Sequence, residues 1–286
     1  MSSQLVWLIT GTSTGLGRDL TLAALARGDK VVATARARSL TKLDDLKTQG
    51  AATLELDVTA PIEELHEVAK RVVAIYGRVD VVVNNAGYMV TGALEENTPE
   101  ESFAQFNTNV FGPLNVARAF LPYMRPRKTG TVVWFGSIGG WIPLPNGGLY
   151  GATKAVNRSL AQTLNAEISP FGLRSICIEP GYFRTAFLQG GNRGPSVSRI
   201  EEYKPITGAM DDMWVAVNGK QPGDPKKLVQ VMLDLIRGEG VAKEREVPTI
   251  VQLGRDCVTA VKTEVEGMLK DMEAWEGVYT STDIVE

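Results

Sequence analysis

Seven short apolar runs recur along the chain, at 5–10, 30–35, 53–58, 79–83, 130–135, 173–178 and 247–253. Runs of this length are what strands buried on both faces of a parallel sheet show. Segments of helical period separate them. Leu20, Leu22, Ala23 and Leu25 form one that stops at Gly28, and a second spans 62–76 and stops at Gly77. A third opens with the capping box Thr98-Pro99-Glu100-Glu101 and runs on to Pro122. Another contains Tyr150 and ends near residue 169, one opens at Asp224-Pro225, and the last covers 256–275 with a heavily charged polar face. Alternating strands and helices predict one α/β domain over 1–286, a doubly wound parallel sheet with helices on both faces and a C-terminal extension at 247–286. Residues 277–286 are polar and read as a loose end.

Between 182 and 223 the regular period is lost, but large apolar residues persist: Phe183, Phe187, Met210, Met213 and Trp214. This stretch reads either as an apolar cover or as an extra helix pair. Gly190-Gly191 and Asn192-Arg193-Gly194 offer it points of flexibility.

Composition narrows the classes of function. With 44% hydrophobic and 22% charged residues the chain is an ordinary soluble type, and its net charge of −3 leaves no electrostatic footprint for nucleic acid or an anionic membrane. The basic run Arg125-Pro126-Arg127-Lys128 reads as a solvated loop. Cys177 and Cys257 form no framework, which suits a reducing compartment, and the first apolar run is too short for a signal or a span. A cytoplasmic protein is expected. His66 is the single histidine and lies in a polar helical stretch, so no histidine-rich metal site is expected.

The candidate chemistry gathers at strand ends. The first strand leads into Gly11-Thr12-Ser13-Thr14-Gly15-Leu16-Gly17 and then a helix, the context in which a glycine turn and a helix N-terminus accept a pyrophosphate. The second strand ends at Ala35-Arg36, with Arg38 close behind, where a ribose-binding carboxylate would otherwise stand; a guanidinium there suits a 2′-phosphate. Asp57 ends the third strand, as an adenine contact or a cap for the next helix, and Asn84-Asn85-Ala86-Gly87 follows the fourth. Asn109 sits among apolar neighbours and needs partners. Ser137 follows the fifth strand, thirteen residues before Tyr150. Tyr150 and Lys154, four apart, share a helix face, where a cation beside a phenol favours proton exchange.

In order and spacing, Thr10-Gly11-x-x-x-Gly15-x-Gly17, Asn84-Asn85-Ala86-Gly87, Asn109, Ser137, Tyr150-x-x-x-Lys154 and Pro180-Gly181 with Thr185 resemble a classical short-chain dehydrogenase/reductase over residues 4–185. The resemblance implies a Rossmann fold binding NADP(H). Tyr150 would be the general acid, Lys154 would lower its pKa and hold the nicotinamide ribose, Ser137 would stabilise the substrate oxygen, and Asn109 would hold a water for proton resupply. The cofactor would meet Gly11 to Gly17, Arg36 with possible help from Arg18 or Arg38, Asp57, Val58, Asn85, Ala86, Gly87, Pro180, Gly181, Phe183 and Thr185. Residues 182–223 would cover the site, so that Gly139, Trp141, Tyr182, Phe187, Met210, Met213 and Trp214 would meet a bulky carbonyl or alcohol. The expected activity is reduction of an apolar ketone or aldehyde, with NADP-linked alcohol oxidation by the same residues, or NADPH sensing without turnover, as alternatives. A homodimer through the helices bearing Asn109 and Tyr150 is implied as well.

Overall fold

A computed structural model describes residues 4–189, 192–195 and 197–284. Gly190 and Gly191, singled out above as points of flexibility, lie outside the described residues. The chain winds in sequence through β1 (Val6–Ile9), α1 (Gly15–Ala26), β2 (Lys30–Ala35), α2 (Asp44–Thr48), β3 (Ala52–Glu55), α3 (Ile62–Tyr76) and β4 (Val81–Asn84). It continues through α4 (Pro99–Phe106), α5 (Gly112–Met124), β5 (Gly130–Phe135), α6 (Gly148–Ile168), β6 (Leu173–Pro180), α7 (Lys204–Val217), α8 (Pro225–Arg237), β7 (Ile250–Leu253) and α9 (Arg255–Tyr279). The strands form one parallel sheet in the order β3-β2-β1-β4-β5-β6-β7.

Why the strands are apolar on both faces is visible in the core. Trp7 and Ile9 of β1 and Val133 and Phe135 of β5 point into a layer with α1 and α8. Their neighbours Leu8, Val132 and Trp134 point into the opposite layer with α3, α5 and α6. Successive strand residues face opposite sides, so a sheet covered twice needs both sets apolar. Because β1 lies between β2 and β4, the winding reverses beside it, which opens a crevice at the strands' C-terminal ends.

Of the boundaries that differ from the sequence reading, three bear on the site and the tail. The third strand ends at Glu55, not at residue 58, because Asp57 accepts hydrogen bonds from the Thr59 amide (2.9 Å) and hydroxyl (2.8 Å) and turns the chain. That turn also removes Asp57 from the cap of α3, which begins after Pro61. The long helix from Pro99 is interrupted by a π-helical turn at Asn107–Phe111 before it resumes as α5. Finally, α9 extends to Tyr279 and takes in part of the end segment expected to be loose.

The Thr98 capping box forms as expected, with Thr98 Oγ1 accepting from the Glu101 amide and Glu101 accepting from the Thr98 amide. Asp224 caps α8 by accepting from the Lys226 and Lys227 amides.

Candidate active site

The C-terminal ends of the strands meet in one cleft of about 260 Å³. Its first wall is the glycine turn. Gly11 adopts φ +70°, and a Cβ there would stand 2.9 Å from Ala86 Cα, so the turns after β1 and β4 approach as only glycine allows. The side chains of Thr10 and Asn85 lock that approach. Thr10 Oγ1 accepts from the amides of Asn85 and Ala86 at 3.0 Å, and Asn85 Nδ2 donates to the carbonyls of Thr10 (2.8 Å) and Gly11 (3.0 Å). Gly17 leaves room for the Asn85 amide that a Cβ would strike.

The wall fits a dinucleotide. The N-cap of α1, Thr14, makes no capping bond with its side chain and no acidic residue stands in the first turn, so the helix N-terminus faces the cleft ready for an anion. Gly11, Ser13, Thr14, Gly15 and Leu16 line that groove, and Thr185 stands across it, 3.8 Å from where a Gly15 Cβ would be. Thr12 and Gly17 do not line it. Thr12 is buried and donates to the Thr34 carbonyl at 3.1 Å, so its part is to fasten the turn to β2.

At the end of β2, Arg36 and Ser39 line the cleft and no carboxylate pairs with Arg36 among the described residues. Arg18 is turned away to the Asp45 carboxylate, and neither it nor Arg38 lines the cleft. Asp57, Val58, Asn85, Ala86, Gly87, Pro180, Gly181 and Phe183 all do.

The floor carries the proton chemistry. Ser137, Tyr150 and Lys154 line the same floor, where Ser137 accepts from the Gly139 amide at 3.1 Å. Lys154 Nζ donates to the Phe135 carbonyl at 2.9 Å and lies 5.4 Å from the centroid of the Tyr150 ring. Burial dominates both ionisations. It pushes the Tyr150 phenol up to about 12 against the opposing influence of the Ser137 hydroxyl, and pushes the Lys154 ammonium down to about 8. Desolvation sets the direction for the phenol, so Tyr150 is held in its protonated, O–H-donating form here.

Asn109 sits behind this floor, not in it. The π-helical turn aims its side chain inward, where Oδ1 accepts from the Tyr88 amide (3.1 Å) and Nδ2 donates to the Tyr88 carbonyl (2.9 Å) and Thr153 Oγ1 (3.2 Å). Sequence reasoning missed Asn157. Its Nδ2 donates to the carbonyls of Asn109 (3.0 Å) and Phe135 (3.2 Å), the second of which also holds Lys154. The signal was present, because 150, 154 and 157 repeat at the spacing of one helix face.

The second wall comes from the stretch after β6. Tyr182, Phe187 and Trp214 line the cleft, together with Gly139, Ile142 and Leu144. The Phe187 ring lies 5.5 Å from that of Tyr150. Three expected substrate contacts do not. Trp141 turns away from the cleft, donating to the buried Glu179 Oε2 (2.7 Å) beneath the Arg158 guanidinium at 3.8 Å. Met210 and Met213 are half-buried on α7, and that helix presents Trp214 to the cleft in their place. Among its described residues the stretch holds one α-helix, not a pair.

With this geometry in place, a family model for short chain dehydrogenases matches residues 5–195. The chain belongs to the short-chain dehydrogenase family. It is 32% identical to an oxidoreductase of Botryotinia fuckeliana over 94% of this chain and 96% of that one. It is also 34% identical to the 3-ketodihydrosphingosine reductase of Bacteroides thetaiotaomicron, over 71% and 72% of the two chains. A short-chain dehydrogenase of Streptomyces avermitilis, at 37% identity, superposes with a TM-score of 0.87 over 99% of this chain and 100% of that one. The protein is accordingly an oxidoreductase acting on CH–OH or C=O groups with a nucleotide cofactor. Among the described residues, no helix of this short-chain dehydrogenase is long and apolar enough to cross a membrane.

Proposed function

We propose that this enzyme reduces a carbonyl on a bulky, mainly apolar substrate with NADPH. The observation that carries the reading is the meeting of Ser137, Tyr150 and Lys154 at the floor of the cleft, with Lys154 Nζ 5.4 Å from the centroid of the Tyr150 ring and the phenol pushed up by desolvation. NADPH, when bound, supplies the hydride. The Gly11 to Leu16 turn, Asp57 and Thr185 would hold the dinucleotide, with Arg36 on its 2′-phosphate.

Ser137 and Tyr150 then bind the carbonyl oxygen, and Tyr150 gives it a proton as negative charge develops. Lys154, cationic below about pH 8, stabilises the phenolate left behind. Proton resupply would run past Lys154 to a water held at the Asn109 carbonyl, which has a second lone pair beside its bond to Asn157.

The apolar second wall of Ile142, Leu144, Phe187 and Trp214 excludes water and favours a large hydrocarbon or aromatic group over a sugar. A relative named as a reductase of a 3-keto compound is in keeping with ketone reduction. Two buried free cysteines accord with a cytoplasmic setting, and the exposed Phe111 beside α5 accords with a homodimer through α5 and α6.

The test is NADPH and NADH oxidation on matched panels of bulky and small ketones. Turnover of bulky ketones with NADPH supports the proposal. Tight NADPH binding with no ketone reduced and no alcohol oxidised would replace it with a sensing role.

A further inference from the structure

A large apolar surface that the cleft does not use lies on α9. Only the first turns of α9 are held by the domain: Cys257 is buried, and Asp256 accepts from the Tyr182 amide at 2.6 Å. From Val265 to Tyr279 every residue is exposed. Fifteen residues of helix span about 22 Å, and this length is marginal for a helix on its own in water, the more so with Gly267 and Gly277 inside it.

The apolar residues on this arm follow an alternating three-and-four spacing, through Val258, Val261, Val265, Met268, Met272 and Trp275 to Tyr279. That is a strict 3.5-residue repeat over three heptads, the seam a second helix packs against, and narrower than the 3.6-period face that meets a globular core. Both glycines fall off the seam. Met268, Met272 and Trp275 are 61%, 58% and 55% exposed.

We propose that α9 pairs with α9 of a second copy of this chain in an antiparallel two-helix coil. Charge selects the occupant and the direction. A parallel pair would set Asp271 against the partner's Glu276 on both sides. The antiparallel register centred between Met268 and Met272 places Met272 on the partner's Met268 and Val265 on the partner's Trp275. It sets Lys262 beside the partner's Glu276 twice by symmetry and lets Leu269 meet its own counterpart. Its one like-charge meeting, Asp271 with the partner's Asp271, falls on the opposite flank. A bilayer surface is a poorer occupant, because from Lys262 to Glu276 the helix carries five acidic residues against two basic ones. This interface is separate from any pairing through α5 and α6.

The test is sedimentation velocity on the full chain. Met272→Glu should halve the mass of the wild-type species, whether that species is a dimer or a tetramer. Lys262→Glu and Glu276→Lys should each weaken association, and the double variant should restore it, a rescue that loss of folding cannot imitate. An unchanged mass for Met272→Glu, a monomeric wild type, or failure of the double variant to restore association would overturn the proposal. So would partition of the wild type onto uncharged phosphatidylcholine vesicles that is lost in Met272→Glu.

Discussion

The two walls of the cleft are held by different forces. On the strand-end wall, the short Thr10 and Asn85 side chains bond directly to neighbouring backbone and Gly11 approaches Ala86 closely, so that every anchor lies in or beside the sheet. The wall after β6 lies outside the sheet and leans on long-range side-chain contacts as well as on backbone bonds such as Gly223 to Tyr182. Arg193 pairs with Asp211 at 2.7 Å and lies 5.5 Å from the Trp214 ring, while Asn146 donates to both Asp211 (3.1 Å) and the Thr207 carbonyl (3.2 Å). The first arrangement fixes reacting atoms, which must be placed closely for every substrate. The second can change with side-chain identity while the sheet stays intact, and it is the wall that faces the variable part of the substrate.

If this contrast holds, changes in the first wall and floor cut turnover for all substrates, and changes in the second alter the choice among them. The largest effect is expected at the floor. Tyr150→Phe removes the donated proton and should lower kcat by about 10²- to 10⁴-fold on every carbonyl, with NADPH binding followed by fluorescence kept. Next is Arg36→Ser, which should weaken NADPH by roughly tenfold to a hundredfold and leave NADH nearly unchanged, as steady-state KM values for the two cofactors would show. The smallest and most selective is Trp214→Ala. It should raise KM about tenfold for bulky ketones with little change for small ones, since the lost contact is apolar and remote from the reacting atoms. Equal loss on small and large ketones in Trp214→Ala would dissolve the distinction between the walls.

Much of the first wall was legible in the sequence because its parts are local. A strand, a glycine turn and a helix follow one another within about twenty residues, and the Tyr150 and Lys154 pair is set by helical spacing alone. The second wall was legible only as apolar content. Nothing local says that Trp141 will prefer the Glu179 carboxylate and the Arg158 guanidinium to the cleft, because Glu179 arrives from β6, 38 residues later. The π-helical turn at Asn109 was hidden for a related reason. An inserted residue leaves composition unchanged, and its purpose, the two bonds to the Tyr88 backbone, lies outside the helix. The desolvation that pushes the phenol up and the ammonium down was equally out of reach, because a neighbouring cation can be named from sequence, whereas the packing of the floor cannot.

The most direct test of Tyr150 as a neutral acid beside a cationic Lys154 is the pH profile of kcat/KM for ketone reduction, which reports groups of the free enzyme. Lys154 keeps its charge below about pH 8 and loses it above, while Tyr150 stays protonated up to about 12. The predicted profile is level from pH 6 to about 8 and falls above it. A rate that climbs through pH 8 to 10 would mean that the reacting form is the phenolate, and would contradict the assignment.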